Sequence, residues 1–153
     1  MPTYAEGTSV DTGRSRGEIE RTLGRFGATA FGYLTERSRA VIMFEYAERR
    51  VRFTLPLPDR ADPKFTRTPT GRAKSPSQAE SAWEQACREQ WRALALAVKA
   101  KLAAVETGIA TFEDEFLAYI ALPDGTTVGE RVIPQIDHAY QTGTMPALMP
   151  GAN

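Results

Sequence analysis

One stretch of the chain decides most of its architecture. From Ser75 to Gly108, apolar residues recur every three or four positions, at Trp83, Cys87, Trp91, Leu94, Val98, Leu102 and Val105. That spacing gathers them on one side of an α-helix. Ser75-Pro76-Ser77-Gln78 supplies an N-cap serine, a proline at the first helical position and the glutamine that completes a capping box, and Gly108 supplies the stop. About thirty residues rising 1.5 Å each reach roughly 45 Å. A small sheet is shorter than that, so part of this helix is expected to pack on other helices or on a partner chain.

The remaining elements are arranged around it. Ser15-Arg16-Gly17-Glu18 fits a second capping box, Ile19, Leu23 and Phe26 follow at helical spacing, and Gly27 can close the helix, predicting a helix over 16–26. Three extended segments come next, at 28–35, 40–47 and 50–57. In the last, Val51, Phe53, Leu55 and Leu57 alternate with Arg50, Arg52 and Thr54, the mark of a strand with one wet face. Short polar connections at Arg37-Ser38-Arg39 and Glu48-Arg49 make these strands an antiparallel meander. A third helix is expected from Thr111, with Phe112, Phe116, Leu117 and Ile120 on its apolar side and Glu113, Asp114 and Glu115 at its favourable N-terminus. After a turn at Leu122-Pro123-Asp124-Gly125, Thr127-Val128-Gly129-Glu130 opens a fourth helix toward Tyr140, which Pro134 is expected to kink or restart. A rival reading turns 119–128 into a short hairpin around Asp124-Gly125.

The fold class is therefore α+β: a three-stranded antiparallel sheet packed by helices, an αβββα core with a C-terminal helical extension. Residues 1–14 read as a flexible N-terminal tail, 15–143 as one domain containing a basic loop at 56–76, and 144–153 as an irregular C-terminal tail. A chain of 153 residues with 42% hydrophobic and 25% charged residues can bury a core of useful size. The longest low-charge run, residues 93–98, is far below the roughly 20 apolar residues of a membrane span. Met1 to Arg16 lacks a signal-type apolar stretch, and a cytoplasmic protein is expected.

The inventory for catalysis is thin, and the reading leans away from an enzyme. The single cysteine, Cys87, falls on the long helix's apolar stripe, and the single histidine, His138, on the fourth helix. No phosphate-cradling glycine loop is present, and neither cofactor nor metal is expected. Asp59 and Asp62 beside Lys64, with Glu45 in the second strand, are the nearest approach to a metal-dependent nuclease, although the two aspartates also suit turn positions.

Charge points elsewhere. Residues 1–75 hold 14 Lys+Arg against 9 Asp+Glu, and residues 76–153 hold 5 against 10, within a net charge of zero. Such a dipole suits a polyanionic partner for the first half, or attraction between the halves of one chain or of two copies. Arg49, Arg50 and Arg52 crowd one face and end of the sheet. Between Pro56 and Pro76 the chain interleaves Lys64, Arg67, Arg72 and Lys74 with Phe65. Together, Arg50, Arg52, Lys64, Arg67, Arg72 and Lys74 are expected to contact phosphates, with Phe65 as a stacking surface. Glu45 and Glu48 could instead pair with the arginines across the hairpin.

The stretches VRFTLPLPDR (51–60), AWEQACREQWRALALAVKAKLAAVETG (82–108) and LPDGTTVGE (122–130) resemble a family of small uncharacterised phage and prophage proteins. That resemblance implies a viral setting and no particular activity. Helix, three antiparallel strands, helix is also similar in topology to the core of Rad52-like and RecT-like single-strand annealing proteins, and to the element order of the double-stranded-RNA-binding domain, without the diagnostic motifs of either. The leading expectation is a phage-type nucleic-acid-binding accessory protein, in DNA recombination or single-strand annealing, with single-stranded DNA the favoured partner and self-association open. The alternative is a protein–protein interaction module, a viral host-defence antagonist or assembly factor. The metal-dependent nuclease comes after it.

Overall fold

The computed structural model describes residues 5–149. Helix α1 spans Thr12–Phe26, strands β1, β2 and β3 span Ala30–Thr35, Arg39–Tyr46 and Arg49–Pro56, and a single-turn helix α2 spans Pro63–Thr66. The long helix α3 runs Pro76–Glu106; α4 (Phe112–Phe116) passes into a 3₁₀ turn at Leu117–Tyr119, and α5 spans Val128–Thr142. The sheet has the order β1-β2-β3, antiparallel throughout, with rows Ala30–Glu45–Arg50, Gly32–Met43–Arg52 and Leu34–Val41–Thr54 facing one way. The alternate rows put Ala40, Ile42, Phe44, Val51, Phe53 and Leu55 into the core against Ile19 and Leu23 of α1 and Trp91, Ala95, Val98 and Leu102 of α3. The α+β expectation therefore describes the fold, and strand bounds fall within two residues of the sequence reading.

The start of α1 differs from expectation. Asp11, not Ser15, is the N-cap, its carboxylate accepting the Arg14 N–H at 2.8 Å. Ser15 lies on the buried stripe with Ile19 and Leu23, and its hydroxyl finds no hydrogen-bond partner among the described residues. Both residues have capping chemistry; packing of the stripe on the core selects between them. The two placements predict opposite signs. Ser15→Ala should raise stability by about 1 kcal/mol if the hydroxyl is buried and unpaired, and lower it by about 1 kcal/mol if it caps the helix. A urea titration of the variant decides, and a fall would sink the buried assignment.

The expected N-terminal tail is also partly structured. Residues 12–14 belong to α1, Ala5 is buried, Gly7 donates its N–H to Glu89 Oε1 at 2.9 Å, and Gln85 Nε2 donates to the Thr8 carbonyl at 2.9 Å. These hydrogen bonds tie residues 7 and 8 to α3. Residues 1–4 and 150–153 lie outside the described ones.

Helix α3 begins at the expected capping box and runs past the sheet at both ends. Its overhangs are covered from within the chain, by α2 near its start and by α4 near its end. The basic segment 56–76 is therefore ordered. Trp83 Nε1 donates to the Pro58 carbonyl at 2.8 Å, the Arg60 guanidinium lies 3.7 Å from the Trp83 ring centre, and Gln90 Nε2 donates to the Pro56 carbonyl at 2.9 Å. Beyond α2, the Thr68 N–H to Arg72 carbonyl and Lys74 N–H to Thr66 carbonyl bonds, both 2.8 Å, make a small hairpin whose turn needs Gly71 at φ +87°.

After α4 the rival hairpin reading is the one realised. Ile120 bridges to Val51 on the β3 edge, the Ala121 N–H donates to the Arg50 carbonyl at 2.8 Å, and Leu122 and Thr126 close a turn over Asp124-Gly125. The edge of β3 has free backbone groups, and pairing with them satisfies more of the chain than another helical turn would. Helix α5 opens with the expected Thr127/Glu130 capping box and continues through Pro134 without interruption.

Candidate functional site

The residues expected to form one basic groove occupy two separate patches. Arg50 and Arg52 project from the sheet face turned away from α1 and α3. Arg50 Nη2 meets Glu45 Oε1, on its cross-strand neighbour, at 3.0 Å. Arg52 Nη2 meets Glu130 Oε1 at 2.7 Å and the Gly125 carbonyl at 3.2 Å. Glu130 accepts the Thr127 N–H at 3.0 Å, and this bond first, then Arg52, holds its carboxyl below the ordinary range. Asp124 is held well below that range by the Thr126 hydroxyl at 2.6 Å and by Arg131. The arginine that alternation aimed at phosphate thus ties β3 to the start of α5.

The second patch sits beside α3, which covers the other face of the sheet. Phe65 is only 5% exposed, so its expected role as a base-stacking surface is corrected: the ring is the seat of α2, buried where α2 packs on α3. Lys64 Nζ lies 3.8 Å from Asp62 and 5.0 Å from the centre of the Phe65 ring. Arg67 donates from Nη1 to the Gly71 carbonyl at 3.0 Å, closing the hairpin turn. Arg72 is exposed and Lys74 half-buried, and neither carries an ion pair among the described residues.

Little converges on catalysis. Asp59 and Asp62 accept the N–H groups of Ala61 and Lys64 at 2.9 and 3.0 Å, a turn contact and the N-cap contact of α2. Among the described residues, no group of three or more His, Cys, Asp or Glu side chains is placed to hold a metal. Cys87 is buried, and desolvation pushes its thiol pKa up, away from nucleophilic reactivity. His138 is exposed on α5. No described helix is long and apolar enough to cross a membrane.

What the structure brings together instead is apolar and uncovered. The outer rows of the sheet contain Leu34, 55% exposed, and Met43, 39% exposed, beside Val41 and Gly32. Helix α5 carries Ile133, 56% exposed, Ile136 and Tyr140, and it touches the rest of the chain mainly through the 3₁₀ turn. Where β3 meets α5 lies a groove of about 410 Å³, lined by Arg52 and Thr54 of the outer face of β3, by Ile133 and Pro134 of α5, and by Ala118 and Gly129. The sequence held a signal for this surface. In β2, Ala40, Ile42 and Phe44 point inward, but Val41 and Met43, pointing outward, are apolar too, and a strand apolar on both faces is usually covered on both.

Comparisons of the chain with protein-family models, with curated proteins and with solved structures found no match.

Proposed function

We propose that this chain is a protein–protein interaction module whose contact surface is the outer sheet face together with the apolar side of α5. One observation carries the reading: the middle of the central strand β2 is apolar on both faces, with Val41 and Met43 on the outer side between the charged Arg39 and Glu45, and only the inner face is covered. Leu34, Val41 and Met43 form an apolar patch, and Ile133 and Ile136 face solvent from a neighbouring helix; clustered exposure of this kind marks contact surfaces on soluble domains. Arg49 and Arg50 at the rim would confer selectivity for a partner with complementary acidic groups.

The experiment is positional photo-crosslinking in cells, with a photoreactive amino acid at Leu34, at Ile136 or at the control position Glu84, exposed on α3. Protein adducts are expected from the first two and not from the control. Adducts absent from both, or equal at all three, would remove the reading.

The segment 63–74 supports a second reading, the nucleic-acid-binding accessory protein of recombination or single-strand annealing in a cytoplasmic, phage-derived setting. It contains no carboxylate, and on its ordered hairpin Arg72 and Lys74 have no ion pair among the described residues. Titration of fluorescent single- and double-stranded oligonucleotides at two salt concentrations tests it. Arg72→Ala should weaken binding to all sequences alike and reduce the salt slope by about one; binding absent at low salt ends this reading.

A further inference from the structure

We infer that the occupant of the groove is a second copy of this chain, the α5 of each copy lying on the outer sheet face of the other about a two-fold axis. The inference rests on the interaction-module reading and names its partner. The molecule carries both halves of a contact, an uncovered apolar sheet face and an uncovered amphipathic helix, and one is not folded onto the other. A two-fold axis lets each half cover its complement twice. The dimensions agree. Helix α5, 15 residues long, extends about 22 Å, and eight-residue strands such as β2 and β3 extend about 26 Å.

Charge is complementary as well. Strand segment 30–56 contains five arginines against three glutamates, whereas 107–149 contains six carboxylates against one arginine. Arg37 and Arg49, at opposite ends of the sheet, have no ion pair among the described residues, and neither has Asp137 on α5. Of the two carboxylates on α5, Glu130 is held by Arg52 of its own chain, so the charge that α5 would bring to the other copy's sheet is Asp137, toward a sheet whose Arg37 and Arg49 are the arginines left to meet it.

The test uses the full chain in light scattering coupled to size exclusion, from micromolar to submillimolar concentration. Wild type is expected to be a dimer. Met43→Glu and Ile136→Glu, both at exposed positions and both checked for unchanged circular dichroism, are each expected to be monomeric. Mixing the two variants separates this geometry from every other dimer. In a reciprocal α5-on-sheet pair the mixture restores one of the two contacts, joining the intact helix of Met43→Glu to the intact sheet of Ile136→Glu. Native mass spectrometry should therefore show the mixed dimer. Sheet-on-sheet or helix-on-helix pairing would show no such rescue. A wild type that stays monomeric throughout, a dimer that survives Ile136→Glu, or a mixture without rescue overturns the inference. If the chain is monomeric yet still crosslinks to other proteins through Leu34 and Ile136, the second copy fails and the interaction module stands. If both results are negative, both proposals fall.

Discussion

Phe116→Ala is expected to destabilise the protein by about 3–5 kcal/mol and to lower its melting temperature by roughly 10 °C. The ring is fully buried and joins three parts of the chain that have no covalent reason to meet. It stands edge-on to Phe44 of β2 at 5.8 Å and to Phe53 of β3 at 6.2 Å, and stacks with Phe112 of its own helix at 4.8 Å. Lys101 reaches from α3 to within 5.7 Å of the ring centre, its ammonium also donating to the Glu115 carbonyl at 3.2 Å. Truncation leaves a cavity whose walls are the sheet, α3 and α4, elements fixed by their own hydrogen bonds and unable to collapse into it. With domain stabilities of about 5–15 kcal/mol, the loss takes a large part of the total. Tyr140→Ala is the control: that ring is 89% exposed, and its removal should change stability by no more than about 0.5 kcal/mol. Equal shifts for the two variants in thermal melts would show that the aromatic cluster does not hold the C-terminal extension to the sheet.

The contrast between those residues also explains what the sequence could reveal. Periodicity reports which residues share a face, and here it did so at the strands and at α3; at α4 it held for Phe112 and Phe116, whereas Leu117, expected on the same side, is exposed in the 3₁₀ turn and Ile120 bridges to β3. The alternation Val51, Phe53, Leu55 is local, as are the capping boxes at Ser75 and Thr127, and each appears where it was read. Partners from far along the chain are another matter. Arg52 was correctly placed on the wet face of β3, but its carboxylate comes from Glu130, 78 residues later, and no spacing rule links them. Glu45 with Arg50 is a cross-strand pair and was foreseeable as one. Phe65 illustrates the same limit. A lone aromatic among basic residues suits a stacking platform, and only the overhang of α3 beyond the sheet turns it into a buried seat. The choice between Asp11 and Ser15 as the α1 cap was likewise decided by packing, since their local chemistry is equivalent. Exposure of the apolar side of α5 depends on what fails to cover it, which no local pattern records.

Gly129→Leu should release α5 while leaving the sheet intact. A Cβ at this position would lie 2.9 Å from the Ala118 carbonyl oxygen and 3.4 Å from the Ala118 Cβ, and the nearer obstacle is backbone, which has no rotamer to retreat into. The 3₁₀ turn and the first turn of α5 must move apart, breaking the Val128 N–H bond to the Ile120 carbonyl at 3.0 Å and the Arg52–Glu130 ion pair that depends on the same approach. Overpacking of this kind costs about 1–3 kcal/mol. Because α5 has few other attachments, the cost should appear as local opening and not as global unfolding. Amide hydrogen exchange over 128–142 should accelerate roughly tenfold or more, with residues 40–46 and 50–55 unchanged. The same substitution at Gly24, a helical glycine with nothing within 4 Å of its added Cβ, should alter neither region. Release of α5 removes one wall of the groove and leaves the other, so crosslinking from Leu34 and dimer formation should fall together while β2 keeps its protection. Uniform acceleration across the sheet would mean that α5 is part of the cooperative core, and the separation between a rigid sheet face and a movable helix wall would have to be given up.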